Sequence, residues 1–64
     1  MNLKDQLYRI IREQSETTVD NLIVQMYGGS LISSGQMEEL QRALDQLATE
    51  GKIERTFWSI KPLG

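Results

Sequence analysis

The chain has no cysteine and no histidine. Disulfides, thiolate or imidazole zinc sites and haem attachment are therefore excluded. The same two absences remove the best nucleophile and the commonest general base, which leaves catalysis poorly supported. The expectation is a protein that is not an enzyme and holds neither metal nor cofactor. No apolar run approaches the roughly 18 residues that span a bilayer. The opening stretch MNLKDQLYRIIREQ carries charges throughout and lacks the apolar segment of a signal peptide. A soluble, cytoplasmic protein with no membrane contact is expected. Aromatic residues are also scarce: one Trp, two Tyr and one Phe.

What is present is small. Sixty-four residues make one domain, 1–64. A chain of this size buries only about 60% of the surface that its unfolded form exposes. Without staples, its stability must come from tight helix packing, from a partner subunit, or from both. A homodimer, or completion by another chain, is expected on that ground.

The net charge is −2, and its distribution is uneven. Residues 1–35 set Lys4, Arg9 and Arg12 against Asp5, Glu13, Glu16 and Asp20, a net of −1. Residues 36–50 set Arg42 against Glu38, Glu39, Asp45 and Glu50, a net of −3. Residues 51–64 set Lys52, Arg55 and Lys61 against Glu54, a net of +2. Positive charge thus gathers at the C-terminal end, beside an acidic helix.

Periodicity supplies the elements. Leu3, Leu7, Ile10 and Ile11 recur on one helical face, with Asn2 as cap and Asp5 in the first turn, and the helix ends near Gln14 or Ser15. Thr17, Thr18 and Val19 read as a very short strand. Asp20 reads as the cap of a second helix, with Leu22, Ile23, Met26 and Tyr27 on its apolar face and Gly28-Gly29 as its stop. Residues 30–32 form the turn, and the apolar pair Leu31-Ile32 suggests a loop folded inward to plug the core. Ser33 and Gln36 form a capping box for a third helix. Met37, Leu40, Leu44 and Leu47 line its inner face, with Ala43 and Ala48 at the flanks and Gly51 as the stop. Residues 52–60 alternate as a strand. No Asn-Gly or Asp-Gly marks a tight hairpin there, so this segment is either a very short hairpin or a single strand. The expected core is Leu3, Leu7, Ile10, Ile11, Leu22, Ile23, Met26, Leu40, Leu44, Leu47 and Ile53.

Three features have both a structural and a functional reading. Glu38-Glu39 are neighbours on a helix and do not face one another, so they read as a solvated face rather than a catalytic pair. The stretch GGSLISSGQ lacks the Gly-Lys-Ser/Thr ending of a phosphate loop and reads as a turn between helices. Phe57 and Trp58 face opposite ways in an extended strand, so one enters the core. The other is half-covered by a neighbouring segment or exposed, and an exposed one is either a lone surface aromatic or an anchor for a partner, with Trp58 the candidate.

The order helix, short strand, helix, turn, helix, strand, with Leu40, Leu44, Leu47 and the run Glu50-Gly51-Lys52-Ile53-Glu54-Arg55, resembles the winged helix-turn-helix superfamily over nearly the whole chain. The resemblance implies an α+β, mostly α fold: a small three-helix domain with a short or truncated C-terminal β wing. It also implies that helix 36–50 enters the major groove of double-stranded DNA while the wing touches the backbone. Gln36, Gln41 and Arg42 are then the base-facing candidates, and Lys52, Arg55 and Lys61 the phosphate candidates, although those three cations read equally well as solubilising charges on an edge strand. Two features depart from the pattern: the net of −3 on the groove helix, and the missing wing turn. Two functions follow. The first is a small DNA-binding regulator of transcription, of a phage or other mobile element, that occupies an operator as a dimer. The second is an acidic protein-interaction module (adaptor, inhibitor or complex subunit) that uses Glu38, Glu39 and Trp58 and does not bind DNA.

Overall fold

A computed structural model describes residues 2–29, 31–56 and 59–63. Three helices, α1 (Leu3–Gln14), α2 (Val19–Tyr27) and α3 (Ser34–Thr49), precede two strands, β1 (Ile53–Arg55) and β2 (Ile60–Pro62). The fold is a small, mostly helical α+β domain.

Each helix begins where a short polar side chain accepts from one of the free backbone donors of its first turn. The Asn2 side chain accepts from the Asp5 N–H. The Thr18 hydroxyl accepts from the Asn21 N–H at 3.1 Å and caps α2. Asp20 therefore is not the cap; it lies in the first turn, where its charge still favours the positive end of the helix dipole. At α3 the box is complete: the Ser33 hydroxyl accepts from the Gln36 N–H at 3.1 Å, and the Gln36 side chain accepts from the Ser33 N–H at 3.0 Å. Gly28 ends α2 at φ +77°, a conformation that costs glycine nothing.

The C-terminal segment is a hairpin. β1 and β2 pair antiparallel, Ile53 with Pro62, Glu54 with Lys61 and Arg55 with Ile60. No glycine turns it. Instead the Thr56 N–H donates to the Ser59 carbonyl at 2.9 Å, the Ser59 N–H donates to the Thr56 hydroxyl at 3.1 Å, and the two hydroxyls share a hydrogen bond at 2.6 Å. Side-chain hydroxyls thus do locally what a tight glycine turn does elsewhere. Phe57 and Trp58 lie outside the described residues.

Of the segment 17–19, only Thr17 joins the sheet. It exchanges both backbone hydrogen bonds with Ile60, at 2.9 and 2.8 Å, while Val19 already belongs to α2. Ile60 therefore stands between two partners. Pro62 is placed with its nitrogen turned to the same side as that of Ile60, away from β1, so the missing N–H costs no bond within the hairpin.

Leu7, Ile11, Leu22, Ile23, Leu40, Ala43, Leu44, Leu47, Ile53 and Ile60 form the buried core. Leu3, Ile10 and Met26 only pack against it part-buried: Leu3 and Met26 lie at the ends of α1 and α2, and Ile10 at the flank of its helical face. Ile60 and Ala43 belong in the core and extend the expected set. The turn between α2 and α3 does not plug the core as a unit: Ile32 packs against it, but Leu31 is 94% exposed. The buried polar side chain Thr17 is bonded to Asn21, whose amide also reaches Gln14, and no buried side-chain nitrogen or oxygen is left unpaired among the described residues.

Candidate interaction face

The inner face of α3 builds the core, so its outer face is held rigidly and turned to solvent. Glu38, Glu39, Arg42, Asp45, Gln46 and Thr49 are all exposed on it. Most of these residues line a shallow open groove of about 680 Å³ along the helix. The hairpin lies beside one edge of that face and is fastened to it by one guanidinium. Arg55 donates to Asp45 at 2.8 Å and to Gln41 at 2.9 Å, and the Gln41 amide in turn donates to the Met37 sulfur at 3.6 Å.

The six nucleic-acid candidates therefore have different fates. Gln36 is spent on the cap of α3. Gln41 accepts from Arg55. Arg42 is exposed at mid-helix and makes no ion pair with any described residue. All three cations of the tail are matched with carboxylates of the body. Arg55 meets Asp45, Lys52 lies 3.5 Å from Glu50, and Lys61 lies 3.5 Å from Glu16. Lys52 also sits 5.6 Å above the ring of Tyr8, with Arg12 at 5.7 Å from the same ring. Of the partner-binding candidates, Glu38 and Glu39 are exposed on α3 with no ion pair to a described residue, and Trp58 lies outside those residues. Sequence periodicity finds the face. The matching of cations to acids escapes it, because the paired residues come from different elements.

Glu50 is the junction of this charge network. It accepts from Lys4 at 2.7 Å as well as meeting Lys52, so it ties the start of α1 to the end of α3 and the start of the hairpin. The hydrogen bond from Lys4 holds the Glu50 carboxyl below its ordinary 4.5, and the same bond holds Lys4 above its ordinary 10.5. A carboxyl lowered in the fold contributes stability above its unfolded value and loses it as pH falls through the folded one; a raised lysine loses its contribution as pH rises through its own folded value. The tie is thus complete between pH 4.5 and pH 10.5. Both groups are solvated, so the effect is small. Lys4→Met is expected to melt slightly below the parent chain at neutral pH. Melts in strong acid, where Glu50 is protonated in both chains, are expected to coincide; a difference that persists there means that Lys4 acts through packing instead.

Among the described residues, no cluster of acidic side chains could hold a metal ion and no helix is long and apolar enough to cross a membrane. No protein-family model, curated protein or solved structure matches the chain.

Proposed function

We propose that the chain is a winged-helix module that acts by protein docking on the outer face of α3, as an adaptor, an inhibitor or a subunit of a larger complex. On this reading it works in the cytoplasm and is not an enzyme. The observation that carries the reading is the matching of Lys52, Arg55 and Lys61 with Glu50, Asp45 and Glu16. Exposed ion pairs are worth only about 0–1 kcal/mol each, so a phosphate could displace any one of these carboxylates. The displaced carboxylate would stay nearby, however, and repel the phosphate that replaced it. Residues 36–64, which hold most of α3 and the hairpin, carry a net of −1. DNA affinity depends on releasing counterions by neutralising phosphates, and this surface has no positive excess with which to do so.

Operator binding is the second reading. It is supported by the order α2, turn, α3, hairpin, and by Arg42, which is exposed at the centre of α3 and is of the residue type that pairs with guanine. Titration with random duplex DNA at low and then raised salt separates the two. The docking reading expects no binding at either salt. Binding that collapses steeply with salt, and that a triple Lys52, Arg55, Lys61→Ala variant weakens on all sequences alike, would establish the second reading in its place.

A further inference from the structure

We infer that the occupant of the α3 face is a second copy of this chain, docked antiparallel about a two-fold axis that passes between Ala43 and Leu44. The inference rests on the reading of α3 as a protein-docking face and names its partner.

Glu38, Arg42, Asp45 and Thr49 are exposed and step along α3 by four, three and four residues. That is the spacing of a coiled-coil seam, and it places the four side chains in one row. The row is complementary to itself when reversed. Antiparallel about the stated axis, Glu38 faces Thr49 of the other copy and Arg42 faces Asp45 of the other copy, each contact occurring twice. The two Arg42–Asp45 layers are three residues apart, about 4.5 Å along the axis. A parallel pairing would set Arg42 on Arg42, Asp45 on Asp45 and Glu38 on Glu38, all like charges. The row therefore selects one orientation by repulsion as well as by attraction.

The participants are available. Arg42 makes no ion pair with any described residue, and Asp45 uses only its Oδ1 atom for Arg55, which leaves its second carboxylate oxygen to accept from Arg42 of the other copy. Arg55 would then orient the very carboxylate that receives the second chain. Such an interface is polar, so its affinity is modest and its specificity is set by charge.

The test is sedimentation of Arg42→Asp, Asp45→Arg and their equimolar mixture beside the parent chain. The parent is expected to dimerise with rising concentration. Each single variant brings like charges together in both central layers, so each should self-associate at least about tenfold more weakly. The mixture should regain the dimer, since the new carboxylate at position 42 of one chain then meets the new guanidinium at position 45 of the other. Asp45→Arg also loses its bond to Arg55, so circular dichroism must show it folded. A second measurement avoids that position. The chain has no native cysteine, so oxidising a mixture of Glu38→Cys and Thr49→Cys chains should crosslink unlike chains in preference to like ones. The inference is overturned by a parent chain that stays monomeric, by a mixture of folded variants that stays monomeric while the parent dimerises, or by crosslinking without preference for unlike chains. A monomer that fails to bind DNA, but whose binding to a different protein is lost in Arg42→Asp, overturns only the self-docking. Steeply salt-dependent DNA binding overturns the docking reading itself.

Discussion

Replacing Leu44 with alanine is expected to cost about 2–5 kcal/mol of folding free energy, the range for truncating a fully buried leucine. Leu44 is 0% exposed and lies mid-way along α3, flanked one turn away on either side by Leu40 and Leu47, both also buried. A helix held from both sides cannot collapse onto the vacated volume, so most of the cavity remains. At roughly 0.05–0.15 kcal/mol per residue, a chain of this size has about 3–10 kcal/mol in all. The variant therefore loses a large fraction of its stability, and each lost kcal/mol lowers the melting temperature by about 4–8 °C. A thermal melt of Leu44→Ala that coincides with that of the parent chain would show that this face of α3 is not the core.

Ile60→Ala is the second large effect, again about 2–5 kcal/mol. The side chain is 2% exposed, and its backbone joins the hairpin on one side to Thr17 on the other. Truncation leaves those backbone bonds chemically possible but removes the apolar contact that presses β2 against α1. Thr17 should then lose amide protection together with the hairpin, which hydrogen exchange can read residue by residue. The control is Leu31→Ala. A side chain 94% exposed has almost nothing to lose, so its effect should stay within about 0.5 kcal/mol. If Leu31→Ala destabilised as much as Ile60→Ala, the assignment of inside and outside would be reversed.

The features legible in the sequence are the ones governed by near neighbours. Asn2, the Ser33–Gln36 box and Gly28 act within a turn of their own positions, and their chemistry permits few other uses. The inner row of α3 follows from its period alone. Thr18 and Asp20 are both good caps, and what separates them lies elsewhere: Thr17 is drawn into extended backbone by Ile60, so the cap falls on Thr18, immediately after it, and α2 starts at Val19. The hairpin turn is hidden because a Thr and a Ser, rather than a glycine pair, close it. Leu31 misleads because apolar character alone does not say which way a short turn folds.

The candidate face divides in the same way. Which side chains point outward on α3 is legible, because a helix has a fixed period. What they meet is not. Arg55 finds Asp45 ten residues away and Lys4 finds Glu50 forty-six away, distances over which linear charge counting carries no information. The basic strip seen along the chain is, in space, set against carboxylates of the body, Asp45 and Glu16 one to one and Glu50 shared by Lys52 and Lys4.

The placement of Pro62 has a consequence for solubility. A two-stranded hairpin offers unpaired backbone groups to any passing strand, which is the usual route to stacked aggregates. On the outer side of β2, Thr17 already occupies the groups of Ile60, and the next position on that side is a proline that cannot donate. A foreign strand that tried to extend the sheet there would find one place taken and the next without a donor. Growth by strand addition is blocked at β2 by Thr17 and Pro62 together, the latter the only proline in the chain.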